Sequence, residues 1–324
     1  MSKREETILL MNDLGGQRIP FFFLVDFDMN EPVVLPTADA EKEGIFYDVN
    51  SRTNCTRSVL PGRRHVFKKS PIPFREYHRA FEAVQENLKL GNSYLLNLTF
   101  PTRIESNLSL QEIFHLSGAK YRLLFRERFV VFSPEIFVQI SDGIISSHPM
   151  KGTIDAALAD AQATILNDPK ELAEHTTIVD LIRNDLSGVA KQVRVEQFRY
   201  IDRIRTNQKE LLQVSSRITG ELPPDYHKNI GTILFDLLPA GSVTGAPKKK
   251  TVEIIKAVES YRRGYYTGVF GYFDGSHLDS GVMIRFIEQT DEGLIYKSGG
   301  GITVFSNCEA EYQELIDKVY VPIV

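Results

Sequence analysis

Cysteine is scarce: Cys55 and Cys308 are the only two in 324 residues, and no CxxC spacing occurs. That excludes a disulfide framework and a cysteine-built zinc site. Long apolar runs are missing too. The most apolar early stretch, Ile19 to Phe27, is broken by Pro20 and is far too short to span a bilayer. The opening residues MSKREETILLMNDLGG carry charges and no apolar core of the kind a secretion signal needs. With few thiols, no export signal and no membrane segment, the cytoplasm is the expected location. Basic residues are not in excess: 38 Lys and Arg stand against 42 Asp and Glu, a net charge of -4, which argues against nucleic acid as a partner. No internal repeat, low-complexity tract or Pro/Gly-rich linker divides the chain cleanly.

What is present is an ordinary globular composition, 42% hydrophobic and 25% charged, with length enough for a sizeable core. Residues 1–70 hold short aromatic and β-branched runs (FFFLVDF, GIFYDV) between turn residues, which predicts a few strands. Phe74, Tyr77, Phe81, Val84 and Leu88 then recur at helical spacing, with Gly91 as the stop. SYLLNLTF, RLLFRE, FVVFS, IFVQIS and GIISSH predict an antiparallel meander. Helices are expected over 155–166, 170–186 and 225–237, and from Pro247 and Glu309; strands are expected near 211–221 and at 265–273, 278–289 and 293–298. Strands in runs and helices in runs favour an α+β fold. The domain reading is a short β-rich region, 1–73, integrated with a catalytic domain, 74–324.

Four segments carry possible chemistry. Ser-Ser-His-Pro-Met-Lys-Gly-Thr (146–153) sets Lys151 before a glycine; an amine attacks only when neutral, and a solvated loop lysine is the commoner alternative. Glu311 and Glu314 lie three apart at a helix start, so both can face one way, toward a metal or simply toward the helix N-terminus. The helix containing Ala-Glu-His (173–175) carries Glu174 and, further on, an Asp180–Arg183 spacing suited to an internal ion pair. His175 adjoins Glu174, but adjacent helical positions do not face the same way. Two glycine-rich stretches, 240–248 and 298–303, could present backbone amides to an anion or serve as tight turns.

The order of longer motifs goes further. Ser-Pro-Glu (133–135), Pro-Met-Lys-Gly-Thr (149–153), Ala-Glu-His…Ile-Val-Asp-Leu-Ile-Arg-Asn-Asp-Leu (173–186) and Gly-Ser-Val-Thr-Gly-Ala-Pro-Lys (241–248) come first. Tyr-Thr-Gly-Val-Phe-Gly-Tyr (266–272), Asp-Ser-Gly-Val-Met-Ile-Arg (279–285), the Gly299–Gly301 glycines and Glu-Ala-Glu-Tyr-Gln-Glu (309–314) follow. Over residues 74–322 the chain resembles the chorismate-binding enzymes. The resemblance implies four layers, α/β/β/α, with two packed, largely antiparallel sheets. Within the family, lysine before the Gly-Thr of Pro-x-x-Gly-Thr is typical of aminodeoxychorismate-forming members, and alanine of anthranilate-forming ones. Lys151 therefore implies amination of chorismate at C4, toward para-aminobenzoate and folate, through a covalent lysine adduct.

By the same resemblance Glu135 is the acid/base, and Glu174, Glu311 and Glu314 hold Mg²⁺ against the ring carboxylate. Arg285, Tyr266, Gly299, Gly300 and Gly301 hold the enolpyruvyl carboxylate, and Ser242 and Thr244 lie in the loop beside the ring. Neither Cys55 nor Cys308 has the glycine-flanked setting of a glutaminase nucleophile, so a separate glutamine amidotransferase is expected to supply ammonia. Three positions depart from the family pattern. Gln213 stands where a histidine linked to pyruvate elimination is common, Leu95 where isochorismate-forming relatives carry lysine, and residues 1–70 lack the segment of a tryptophan pocket. The alternatives are anthranilate synthase component I and a non-catalytic chorismate-binding module. Lys151 opposes the first, and retention of the acidic set opposes the second.

Overall fold

The computed structural model of the chain describes residues 1–56, 65–205 and 210–323. Its first part forms α1 (Lys3–Gly16), β1 (Phe21–Val25), β2 (Val33–Pro36), β3 (Ile45–Val49), β4 (Arg52–Thr53), β5 (Phe67–Ser70) and α2 (Phe74–Lys89). The middle forms β6 (Leu95–Ser106), α3 (Leu110–Leu116), β7 (Tyr121–Phe125), β8 (Phe129–Ser133), β9 (Ile136–Ser141), β10 (Ile144–Ser147) and β11 (Met150–Asp155). Then come α4 (Ala161–Asn167), α5 (Pro169–Ser187), β12 (Lys191–Arg205), β13 (Glu210–Glu221), α6 (Ile230–Asp236) and β14 (Gly245–Ala246). The chain closes with α7 (Lys248–Val258), β15 (Val269–Phe273), β16 (Leu278–Val282), β17 (Phe286–Thr290), β18 (Gly293–Ile302) and α8 (Cys308–Asp317).

The strands build two sheets. One runs β11-β13-β10-β9-β16-β15-β1-β2 with β12 also on β13; the other runs β14-β6-β18-β17-β8-β7-β3-β4 with β5 on β6. Every strand pairing among the described residues is antiparallel. β1 shows how the layers form, because all five of its residues are buried. Phe21, Phe23 and Val25 join a core with residues of α1, α5 and α6, while Phe22 and Leu24 join one with β3, β7, β8 and β17 of the other sheet. Alternate residues of a strand point to opposite faces, so a strand apolar at every position must be covered on both. The outer face of the second sheet is covered by α2, α7 and α8 over β6, and by α3 over β8. This is the α/β/β/α order expected.

Several elements differ from the sequence expectation. The first residues form a helix: Ser2 and Glu5 make a reciprocal capping box, and Met11 and Leu14 pack into the core while Leu9 and Leu10 stay exposed. The apolar residues of α1 ring the helix instead of lining one stripe, so periodicity is silent there. Helix α4 begins at Ala161, because residues up to Asp155 extend β11 along β13. The expected strand 278–289 is two strands in different sheets. Residues 299–301 belong to β18, paired with Thr99, Leu98 and Asn97 of β6, and are not a loop. β3 and β4 join the second sheet while β1 and β2 join the first, so the N-terminal strands are shared between both. No helix among the described residues is long and apolar enough to cross a membrane.

Candidate active site

A cavity of about 470 Å³ opens where β11, α5, β18 and α8 meet. Lys151 enters it from β11, which is irregular at this point: its register against β13 shifts between Lys151 and Thr153. Gly152 takes φ +73 at the bulge, and a Cβ there would meet Glu171 Oε2 at 2.9 Å. Only glycine combines that backbone with that approach. Lys151 Nζ lies 3.3 Å from Glu174 Oε2 on α5, and 3.3 Å from the place a Cβ on Gly301 would occupy.

β17 ends its pairing with β18 at Phe286 and Lys297, so β18 runs past it along Ser298 to Ile302 with β6 on its other side. Gly299 and Gly301 line the cavity there. Glu311 and Glu314 project from the first turns of α8; Glu311 accepts from Ser306 Oγ (2.8 Å), and Glu314 pairs with Lys318 Nζ (2.6 Å). Between β16 and β17 the chain crosses from one sheet to the other. The crossing is clamped by Val282 N–H donating to the Glu135 carbonyl (3.1 Å) and Phe132 N–H donating to the Arg285 carbonyl (3.1 Å). Arg285 takes φ 54 at the crossing, a left-handed conformation that is uncommon outside glycine, and its side chain reaches the cavity. Its Nε is buried with no hydrogen-bond partner, and no carboxylate among the described residues pairs with it. A buried, unanswered guanidinium donor on a cavity wall is suited to a carboxylate.

Glu135 sits in the turn between β8 and β9 and is half-buried. Ser242 donates to its Oε1 in a short hydrogen bond. Burial raises the Glu135 pKa, against the lowering pull of Ser242, Lys151, Arg285 and Lys318. Burial likewise lowers the Lys318 pKa, while Glu314 opposes it. Tyr266 is 3% exposed, and burial raises its phenol. The site thus presents Glu135, Lys151, Arg285 and the carboxylates of Glu174, Glu311 and Glu314, among others, to one space.

Of the residues singled out from sequence, Lys151, Glu135, Ser242, Tyr266, Arg285, Gly299, Gly301, Glu174, Glu311 and Glu314 all line the cavity. Thr244 does not. It is 1% exposed, and its hydroxyl donates to the carbonyls of Ala240 (2.8 Å) and Gly241 (3.3 Å), fastening its own turn. Gly300 is also absent from the lining. It matters by closeness, since a Cβ there would lie 3.4 Å from both Glu311 Oε2 and Glu314 Oε1. His175 faces away from Glu174 as helical geometry requires, with Nε2 2.6 Å from Ser216 Oγ. The Asp180–Arg183 ion pair forms, at 2.7 Å. Gln213 lines the cavity, and Leu95 is buried against Gly301.

Sequence reasoning missed Glu171, Lys297, Lys318 and Asn97, which also line the cavity. Two of these had a signal. Glu171 stands three before Glu174, the same spacing as Glu311 and Glu314, and Lys318 stands four after Glu314. Among the described residues, no three His, Cys, Asp or Glu side chains converge tightly enough to form a metal shell by themselves. The carboxylates do fit a hard cation of the Mg²⁺ kind, which takes one or two protein carboxylates and fills the remaining positions with water and substrate oxygens.

An uncharacterized PabA-like protein of Haemophilus influenzae is 53% identical over 96% of this chain and 95% of its own length. Aminodeoxychorismate synthase component 1 of Salmonella typhimurium is 34% identical over 85% of this chain, and the match spans 63% of that longer protein. Among solved structures, anthranilate synthase component I from Streptococcus pneumoniae aligns with a TM-score of 0.65 and 26% identity, over 78% of this chain and 58% of that one. The menaquinone-specific isochorismate synthase MenF of Escherichia coli shares the fold, with a TM-score of 0.73 and 17% identity over 97% of this chain and 80% of that one. The profile of the chorismate binding enzyme family matches residues 39–323. The chain belongs to the chorismate binding enzyme family.

Proposed function

We propose that this chain is an aminodeoxychorismate synthase component I, aminating chorismate at C4 with ammonia delivered by a separate glutaminase subunit. The observation that carries the reading is Lys151, whose amine enters the same cavity as Glu135, Arg285 and the carboxylates of Glu174, Glu311 and Glu314. Alanine at position 151 would remove this amine from the cavity.

In this reading Lys151, once it has given up its proton, forms a C–N bond to the chorismate ring. The 4-hydroxyl leaves as water, taking a proton from Glu135. Ammonia then forms the new C–N bond at C4 while the bond to Lys151 breaks; the proton that ammonia sheds returns to Glu135, the lysine leaves as its amine, and the product is 4-amino-4-deoxychorismate. Dividing one difficult substitution into two easier ones is the logic of covalent catalysis. A raised Glu135 pKa keeps a proton available to the leaving group. Arg285, Tyr266 and the β18 glycines hold the enolpyruvyl carboxylate. Glu174, Glu311 and Glu314, with Glu171 beside them, would hold Mg²⁺, which when bound neutralises the ring carboxylate.

The test is intact-protein mass after incubation with chorismate and Mg²⁺ without ammonia. An added mass of chorismate less water, located on the Lys151 peptide, is expected. No adduct, together with full turnover by Lys151→Ala, would remove the proposal.

A further inference from the structure

The cavity walls come from segments far apart in sequence, and one buried ion pair outside the cavity ties four of them together. Glu259 and Arg263, just beyond α7, have side chains 2% exposed each and pair at 2.7 Å. Arg263 uses its whole donor fork. Nε donates to Glu259 Oε2 (2.9 Å), and Nη1 donates to the Val243 carbonyl (2.8 Å) and Thr267 Oγ1 (3.3 Å). Nη2 donates to Glu259 Oε1 (2.7 Å) and to the Asn97 carbonyl (2.7 Å). Glu259 Oε1 also accepts from the Thr99 backbone (3.0 Å) and hydroxyl (2.8 Å), and Thr99 is the register partner of Gly299. The Arg263 carbonyl accepts from Lys297 Nζ at 3.0 Å. Asn97, Val243, Lys297 and Gly299 all line the cavity, and Tyr266 lies three residues after Arg263.

We infer that Arg263, held by Glu259, is a positioning residue for the substrate cavity: it fixes β6, the Ser242–Thr244 turn, the Tyr266 segment and β18 in mutual register. The inference rests on the reading that this cavity takes chorismate. A pair that served stability alone could be exchanged for apolar side chains, because desolvation offsets much of a buried ion pair's attraction. The backbone carbonyls of Val243 and Asn97 need the guanidinium itself. Lysine cannot replace it, since its donors radiate from one point and do not span the five acceptors.

The experiment measures chorismate affinity by calorimetry and turnover with ammonium, alongside urea unfolding, in three forms: wild type, Arg263→Lys and the double variant Glu259→Leu/Arg263→Met. Arg263→Lys is expected to unfold cooperatively yet lose about a hundredfold in kcat/KM, with KM raised, as displaced cavity walls would give. The double variant is expected to recover the urea midpoint lost by Arg263→Lys without recovering chorismate affinity. Wild-type kcat/KM in Arg263→Lys, or return of both midpoint and affinity in the double variant, would overturn the inference. If the double variant does not fold, Arg263→Lys decides alone. Wild type that binds chorismate without turning it over would count against the proposed reaction and leave the affinity comparison standing; wild type that does not bind it would remove both.

Discussion

Burial shifts the titration of both Glu135 and His175, and the two signs differ. For Glu135 the folded pKa lies above its usual value, chiefly through burial. Between the unfolded and folded values the folded chain binds more protons than the unfolded one, so stability falls as pH rises through that window. Glu135→Gln is therefore expected to melt higher than wild type at pH 8, with the gap closing toward pH 4, and to lose about 10²- to 10⁴-fold in kcat. Equal gaps at both pH values would contradict the burial argument. For His175 burial, followed by Arg199 and Lys151, lowers the pKa to about 4. Here the unfolded chain binds more protons between pH 4 and the usual histidine value near 6.5, so stability is lost as pH falls through that range. His175→Gln should flatten the pH dependence of urea unfolding over that range by roughly 2–3 kcal/mol, measured without divalent metal. Gly301 makes a third residue-level prediction. A methyl group there would press on Lys151 Nζ, 3.3 Å away, and on Leu95. Gly301→Ala should cut kcat by about a hundredfold at an unchanged melting temperature, and wild-type kcat would show that Lys151 tolerates displacement.

At the scale of elements, α1 and α6 meet through a glycine. A Cβ on Gly231 would lie 2.5 Å from the Ile8 carbonyl and 2.9 Å from Met11 Cβ. Gly231→Ala should therefore lower stability by about 1–3 kcal/mol in urea unfolding. Turnover should persist, since neither helix contributes a side chain to the cavity; an unchanged midpoint would mean that the helices slide apart at little cost. α1 was also the element least legible in the sequence, because its start is set by a capping box and its apolar burial by two residues, Met11 and Leu14. α2 was legible but for its first member: Tyr77, Phe81, Val84 and Leu88 are buried and the helix ends just before Gly91, at φ +75, while Phe74 stays exposed and meets Tyr312 edge-on. β12 was missed because its period-two pattern is diluted by charge, as suits a strand paired with β13 alone. The change of sheet between β16 and β17 was illegible for a different reason. Residues 278–289 carry strand-type side chains throughout, and the break is made by tertiary clamps on the Glu135 and Arg285 carbonyls. That break delivers Arg285, so the residue was found through its motif and not through its geometry.

Across the whole molecule, the two sheets are held by cores that local patterns announce, while the cavity forms where distant segments meet. Of the twelve residues given roles through the motifs, ten line it. Thr244 was misplaced because a hydroxyl in a glycine-rich turn looks the same whether it faces substrate or its own carbonyls. Glu171, Lys297 and Lys318 needed the assembled fold before their proximity counted. Cys55 and Cys308 are half-buried, and burial raises both thiols, to about 11 for Cys308. Neither is primed as a thiolate nucleophile, and glutamine alone should not support turnover by this chain, whereas ammonium salts should. Glutamine-dependent turnover by the purified chain would contradict the proposed division of labour.

The measurement that tests the central claim most directly is product identity. The purified chain is incubated with chorismate, Mg²⁺ and an ammonium salt, and the products are separated and weighed by mass spectrometry. A product with the mass of 4-amino-4-deoxychorismate, absent with Lys151→Ala, is the predicted result. Anthranilate with released pyruvate would contradict the account, because it would mean that ring amination proceeds here without the lysine.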